Sequence, residues 1–362
     1  MANRSSIAVA MTIAGAATAL TLAWRKAQRH RVQVVAVLLP EGPKHAIPLD
    51  MLLPRRPEVE DAEVLTGSAP EDFGARLDDI TAITWIPGAR LEALAALYTR
   101  SPGCRWVHAY SAGVDGVAGF VASLPAHVRV SNGRGAFSSS LGEYVLTAAL
   151  HFSKQVPRCI ANREARRWDK FVMAELRGKT MGFVGFGSIA QAAAKLAAAF
   201  GMRSIALRRN PELVDELAEV SYGLGDAEAF YAQSDFVVST LPATSATRKM
   251  IGRAAFKAMR RTAVFISLGR GAVVDEDALA AALTLGPSHP DGIAAAALDV
   301  FDQEPLPERS PLWACDNLLV TAHNADFTES YVDEGWRVWR ENLLRVQAAQ
   351  PLATPVDKQA GY

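Results

Sequence analysis

Residues 184–210 run VGFGSIAQAAAKLAAAFGMRSIALRRN: an apolar strand end, a glycine turn, an alanine-rich helix and a second strand. Gly185, Gly187 and Ala190 match G-x-G-x-x-G/A, the turn that carries a dinucleotide pyrophosphate. Gly185 permits the tight turn, Gly187 lets the pyrophosphate approach the backbone, and Ala190 keeps the helix close to the strand. The free amides of Ser188 and Ile189 at the helix start stabilise an anion. Alone such a match is weak, because glycines in turns commonly only make turns. The strand–turn–helix–strand context gives it weight.

About 20 residues past the first glycine an acid normally holds the ribose 2′-OH. Arg208 stands there, followed by Arg209 and Asn210. A guanidinium pairs with phosphate through a fork of donors, so the arginines suit NADP(H), with NAD(H) still open. The competing reading is two exposed arginines that only solvate a strand end.

Outward from this stretch, short apolar runs alternate with helical patterns. VQVVAVLL (32–39), ITAITWI (80–86), CRWVHAY (104–110) and VRVSN (128–132) predict strands, with a helix over 89–98. They belong to a first α/β unit of about five strands. A long helix is expected over 139–155. A second set follows: strands at 181–185, 204–207, 235–240, 263–268, 293–300 and 317–322, with helices such as 191–200 and 275–283. Strands alternating with helices predict a parallel, doubly wound sheet. An amphipathic helix over 329–349 carries Trp336, Trp339, Leu343 and Val346, and the tail after Pro351 is expected to be frayed.

The chain has 362 residues, half of them hydrophobic, and zero formal net charge. That length suits two domains, and the charge gives no general pull toward nucleic acid. Cys104, Cys159 and Cys315 form no CxxC, which argues against a disulfide framework or a zinc site. Ile7–Trp24 is an uncharged run followed by the basic RKAQRHR. It is near the lower length limit for spanning a bilayer and only moderately apolar. Three readings compete: a membrane anchor, a cleaved organelle-targeting segment, or an extension that is neither, leaving a cytoplasmic protein. Residues 1–31 are set apart from the fold.

Three further segments fall at predicted strand ends. SLGRGAVVDEDAL (267–279) holds Arg270, ALDVFDQEPLP (297–307) holds Asp299 and Glu304, and VTAHNAD (320–326) holds His323. Open α/β sheets bind ligands at this edge. With GKTMGFVGFGSIA (178–190) and DFVVSTLPATSATRKMI (235–251), these motifs closely resemble the D-isomer-specific 2-hydroxyacid dehydrogenase family, and the resemblance covers about residues 60–350.

The resemblance implies a catalytic trio of Arg270, Glu304 and His323. It implies an α/β fold of two doubly wound parallel-sheet domains, a Rossmann dinucleotide domain (151–325) inserted into a flavodoxin-like substrate domain (32–150, completed by 326–350); residues 351–362 lie beyond the resemblance and read as a flexible tail. Reduction of a 2-oxo acid needs a proton donor, a group that orients it and a cation that grips the substrate. An imidazole suits the first role, since it titrates near neutral pH. A carboxylate such as Glu304 fixes the ring and favours its charged form. Arg270 can hold the carboxylate and polarise the carbonyl. SAGVD (111–115) matches the family's glycine loop, with the amides of Gly113 and Val114 as further carboxylate donors. Leu241 and Pro242, in the loop after a strand, cover the adenine or ribose side. Leu268 and Asp299 complete the expected cofactor contacts, Asp299 toward the nicotinamide. Asn132, Glu143 and Trp168 also match family positions, Glu143 as a structural residue.

Two departures flank the trio: Ser267 stands where asparagine is usual, and Ala322 where proline is usual. Both bear on substrate identity more than on reaction class. The reading is therefore an NADP(H)-preferring reductase of a small 2-oxo acid such as glyoxylate or hydroxypyruvate, without a metal. The alternatives are an NAD-linked dehydrogenase for phosphoglycerate or another D-2-hydroxy acid, and a dinucleotide-sensing corepressor or scaffold. A homodimer is implied by the family, and membrane association rests on the N-terminal run.

Overall fold

The computed structural model describes residues 33–41 and 52–362. The apolar run 7–24 lies outside the described residues. Among them no helix is long and apolar enough to cross a membrane.

The chain forms two compact units. The first comprises the described residues up to Arg134 together with Val332–Tyr362; the second is Gly135–Tyr331. The first unit is thus discontinuous. Its breaks fall after Arg134 and after Tyr331, where the sequence suggested residues 150 and 325.

In the first unit five strands, β1 (Gln33–Leu38), β2 (Ala62–Gly67), β3 (Ile80–Trp85), β4 (Trp106–Ala109) and β5 (Arg129–Asn132), form a parallel sheet in the order β2-β1-β3-β4-β5. Its central strands β1, β3 and β4 are buried at all but one residue each of β1 (Gln33) and β3 (Thr81), as parallel strands covered on both faces require. Helices α1 (Leu91–Thr99) and α2 (Ala118–Ser123) pack Leu94, Leu97, Phe120 and Val121 with Ala36, Ile83, Val107 and Val130. The helix α9 (Tyr331–Gln347) brings fully buried Trp336 and Trp339 to the unit. Each indole N–H finds an acceptor: Trp336 donates to Leu52 O and Trp339 to Thr84 Oγ1, both at 2.8 Å.

β2 lies outside every predicted strand. AEVLTG has no apolar run, because it is an edge strand that pairs only with β1 and keeps Glu63 exposed. Residues 351–362 are not a frayed tail. Pro355 bridges Ser131 in antiparallel fashion, Val356 N–H donates to Val130 O at 3.0 Å, and Val356 is buried.

In the second unit, strands β6 (Thr180–Val184), β7 (Arg203–Leu207), β8 (Val220–Tyr222), β9 (Phe236–Ser239), β10 (Val264–Ser267), β11 (Ala295–Leu298) and β12 (Leu318–Val320) form a parallel sheet ordered β12-β11-β10-β9-β6-β7-β8. From β6 the chain builds outward through β7 and β8, then crosses back to add β9–β12 on the other side. The carboxyl ends of β6 and β9 are therefore a topological switch point, where such sheets bind ligands. Helices α6 (Ala227–Gln233), α7 (Arg253–Ala258) and α8 (Glu276–Leu285) bury Phe230, Phe256 and Leu279 with Ile205, Val237 and Phe265. Each such aromatic, fully buried, stabilises the unit by about 1.5–3 kcal/mol.

Helix α3 (Ser138–Ser153), followed by α4 (Val156–Glu164), belongs to this unit because it packs on α5 (Ser188–Ala199). Gly142 makes the close approach: a Cβ there would lie 3.1 Å from the Ala193 backbone nitrogen. That packing moves the break to Gly135. The expectation of two doubly wound parallel sheets, one unit inserted into the other, describes the fold.

Candidate active site

The turn after β6 takes the form its sequence demands. Gly185 has φ 83°, and a Cβ there would meet Leu241 Cδ2 at 2.7 Å. Its N–H donates to Leu207 O at 2.9 Å, while Thr240 Oγ1 donates to its carbonyl at 3.2 Å. Gly187 is the N-cap of α5, has no side chain to satisfy the helix amides, and faces open space where a Cβ would be. The leading amides of Ser188 and Ile189 are thus left for an outside acceptor. Ala190 is fully buried against the strand. Leu241 and Pro242 begin the loop after β9, in which Thr247 Oγ1 donates to Pro242 O at 2.7 Å. Leu268, buried after β10, donates its N–H to Ser239 O.

Arg208 continues directly from β7. Its N–H donates to Tyr222 O at 3.0 Å, and its guanidinium carbon lies 5.9 Å from the Phe186 ring centroid. Side-chain Nε and Nη2 are out of water and make no hydrogen bond. Unsatisfied buried donors are costly, and an anionic oxygen is the partner a guanidinium fits best. Arg209 is exposed, and Asn210 Oδ1 accepts Glu212 N–H at 3.2 Å, starting the next turn. The donor set of this edge, helix amides followed by a guanidinium, fits a dinucleotide that carries phosphates.

At the other strand ends, His323 Nδ1 lies 2.7 Å from Glu304 Oε2. Glu304 Oε1 accepts Phe301 N–H at 2.9 Å, so both carboxylate oxygens are engaged. A carboxylate only accepts, so Nδ1 carries the proton of that bond and Nε2 is turned outward. Nε2 makes no hydrogen bond among the described residues. The pair is half-open: the side chains are 42% and 36% exposed. His323 holds φ 51°, fixed by its N–H donating to Asp299 O at 2.8 Å.

Asp299 is buried and anchors the same loop. Its carboxylate accepts Thr321 Oγ1 at 2.7 Å and the N–H groups of Asn324 (3.1 Å) and Ala325 (3.2 Å). Tyr144 OH, on α3, lies 2.9 Å from Thr321 Oγ1. Since Thr321 gives its proton to the carboxylate, Tyr144 is the donor. Burial pushes the Tyr144 phenol up to about 12, so it stays neutral. Asp299 was expected as a cofactor contact; in the structure its oxygens are committed to the histidine loop.

Arg270 follows β10, its Nη1 donating to Gly269 O at 2.8 Å. Asp326, on the histidine loop, lies near both Arg270 and His323. Burial pushes the Asp326 carboxyl up, and the His323 and Arg270 charges act against that rise. Arg270 and His323 therefore lie within electrostatic reach of one carboxyl. Sequence reasoning passed over Asp326, Thr321 and Tyr144. Asp326 stands in the quoted histidine loop, but no spacing rule marks which acid of that loop is half-buried near the imidazole.

Gly113 and Val114 belong to the first unit, in the loop after β4. Their N–H groups make no hydrogen bond among the described residues. Trp168 is 99% exposed and Glu143 is exposed, whereas Asn132 is buried. Ser267 and Ser239 sit opposite each other on β10 and β9, both hydroxyls buried without a partner. Among the described residues no cluster of acids, histidines and cysteines is placed to hold a metal.

A glycine turn at the switch point of a parallel sheet, with an arginine and a carboxylate-bound histidine on neighbouring strand ends, defines a dinucleotide-dependent oxidoreductase. Residues 146–325 match the family model described as D-isomer specific 2-hydroxyacid dehydrogenase, NAD binding domain. Glyoxylate/hydroxypyruvate reductase B of Enterobacter sp. (strain 638) is 31% identical over 263 residues, covering 70% of this chain and 78% of that protein. D-3-phosphoglycerate dehydrogenase of Methanocaldococcus jannaschii is 31% identical over 294 residues, 80% of this chain but only 54% of its own length. The solved NADPH-dependent glyoxylate/hydroxypyruvate reductase of Sinorhizobium meliloti, in complex with NADP and sulfate, superposes with a TM-score of 0.77 at 28% identity, covering 91% of this chain and all of that one. The chain belongs to the D-isomer specific 2-hydroxyacid dehydrogenase family.

Proposed function

We propose that this chain is an NADP(H)-dependent reductase of small 2-oxo acids such as glyoxylate or hydroxypyruvate, with the reverse oxidation of the 2-hydroxy acid. The observation that carries the reading is the His323–Glu304 pair, which leaves a protonatable Nε2 facing outward. A bound nicotinamide cofactor supplies the hydride that reaches the carbonyl carbon. Everything else falls to the chain. His323 Nε2 delivers the proton to the carbonyl oxygen, and Glu304 holds the ring in the orientation that allows it. Arg270 grips the carboxylate and draws electron density onto the oxygen. In the first unit, the amides of Gly113 and Val114 are donors that suit a carboxylate, the role that the family resemblance gives them.

The amides of Ser188 and Ile189 hold the pyrophosphate, and Leu241, Pro242 and Leu268 line the cofactor. Arg208, with Arg209 beside it, receives the 2′-phosphate that distinguishes NADP(H); its two unpaired buried nitrogens support this. The Sinorhizobium meliloti neighbour is described as NADPH-dependent and holds NADP. The M. jannaschii relative favours a second reading, an NAD-linked phosphoglycerate dehydrogenase. Initial rates with NADPH and NADH across glyoxylate, hydroxypyruvate, pyruvate and phosphohydroxypyruvate separate the two. Preference for NADH with the phosphorylated acid would replace the first reading by the second.

We also propose a homodimer. Trp168 and Val172 are 99% and 89% exposed, and Val156, Ile160 and Met173 are exposed beside them in sequence. Such apolar exposure is characteristic of a protein interface. A monomeric mass in solution would overturn it.

A further inference from the structure

Residues 351–358 run beside β5, the edge strand of the first sheet that ends at Asn132. Thr354 Oγ1 donates to Asn132 O at 2.6 Å, and the Thr354 carbonyl accepts Asn132 N–H at 3.2 Å. Both backbone groups of Asn132 are thereby tied to one residue. Asn342, buried on α9, locks Thr354 from behind. Its Nδ2 donates to Thr354 Oγ1 at 3.0 Å, and its Oδ1 accepts the N–H groups of Ala353 and Thr354 at 3.0 and 3.3 Å. Lys358 fixes the far end through the carbonyls of Leu124 and Pro125, at 3.3 and 2.6 Å.

The Asn132 side chain faces the glycine loop. Nδ2 donates to Ala112 O at 2.6 Å, and Oδ1 accepts Arg134 N–H at 3.3 Å. Gly133 N–H donates to Ser111 O at 2.9 Å, and Ser111 Oγ donates to Gly113 O at 2.7 Å. Asn132 is only 2% exposed, so water does not replace these bonds.

We propose that residues 351–358 are a strap that holds the glycine loop Ser111–Asp115 in one geometry through Asn132. Thr354 and Asn132 are then positioning residues. Resting on the reading that Gly113 and Val114 grip the substrate carboxylate, the strap sets affinity for the 2-oxo acid. It does so by ordering two amide donors before the substrate arrives, so that binding need not order them. Neither NADPH affinity nor the proton step at His323 depends on it.

The test uses the full chain with Thr354→Val, which keeps the shape and removes the hydroxyl, and Thr354→Ser, which restores it. Hydrogen exchange of the peptide covering 111–117 and of the Gly133 amide is measured together with NADPH affinity and the glyoxylate rate profile. In Thr354→Val, which loses both hydrogen bonds of the hydroxyl, exchange should rise and KM for glyoxylate should rise about tenfold. kcat and NADPH affinity should hold, and Thr354→Ser should reverse both changes. Unchanged exchange at 111–117 overturns the strap. Faster exchange with an unchanged KM supports the strap and instead removes Gly113 and Val114 from carboxylate binding. Lys358→Ala, which releases the strap at its surface end, gives the same readouts should Thr354→Val fold poorly.

Discussion

His323 Nδ1 and Glu304 Oε2 stand 2.7 Å apart, and the other Glu304 oxygen is held by Phe301 N–H. The carboxylate cannot turn away without leaving a backbone donor unmet, so the imidazole is held in one orientation. Glu304→Gln keeps the volume but removes the charge and makes the hydrogen-bond pattern ambiguous. It should lower kcat with glyoxylate about 10²-fold, the lower end of general acid–base contributions, and leave NADPH affinity unchanged. Steady-state rates beside cofactor titration check this; a kcat near wild type would remove Glu304 from the proton step.

Tyr144, Thr321 and Asp299 support the same loop from below. Thr321→Val takes away the donor to Asp299 and the acceptor for Tyr144, while the amides of Asn324 and Ala325 still hold the carboxylate. The expected result is a fall in kcat of about tenfold with little change in NADPH affinity. A loss confined to cofactor affinity would instead assign Asp299 to the nicotinamide, as the sequence reading had it.

Arg208 decides the cofactor if its buried, unpaired nitrogens await a phosphate. Arg208→Asp replaces a cation with an anion that accepts ribose hydroxyls and repels a 2′-phosphate. The ratio of kcat/KM for NADPH over NADH should fall on the order of 10²-fold. If the ratio does not move, the cofactor assignment is wrong.

His108 gives the first unit a pH dependence. It is fully buried between Trp106 and Ser131: Nδ1 shares a 2.8 Å hydrogen bond with Ser131 Oγ, and Nε2 has no partner. Burial pushes it down from 6.5 to about 3. The unfolded chain therefore takes a proton near pH 6.5 that the folded chain refuses. Stability is unaffected by this group above pH 6.5 and falls as the pH drops from there toward 3. Between pH 7 and 5 the loss is about 2 kcal/mol. His108→Leu should make the urea midpoint, followed by tryptophan fluorescence, less sensitive over that range; equal pH slopes in the two proteins would contradict the burial argument.

The architecture was legible where burial writes continuous apolar runs. β1, β6 and β9 lie inside their sheets and read plainly as QVVAVL, TMGFV and FVVS. β2 and β8 escaped because edge strands need no such run, and Val220–Tyr222 has only three residues. The glycine turn was legible because its requirements are local: a positive φ at Gly185 and a bare helix N-terminus after Gly187. The pairing of Glu304 with His323 has no local signature and came from family resemblance. The strap at 351–358 was misread as loose chain because its order depends on Asn342, Asn132 and Val130, which nothing in its own composition announces.

The most direct test of the account follows NADPH oxidation with glyoxylate and with hydroxypyruvate in the wild-type chain and in His323→Ala, alongside NADPH binding to both. Steady turnover by the wild type, a 10²–10⁴-fold lower rate in the variant and equal NADPH affinity are predicted. Tight NADPH binding without oxidation by any 2-oxo acid, or a His323→Ala rate equal to wild type, would contradict it.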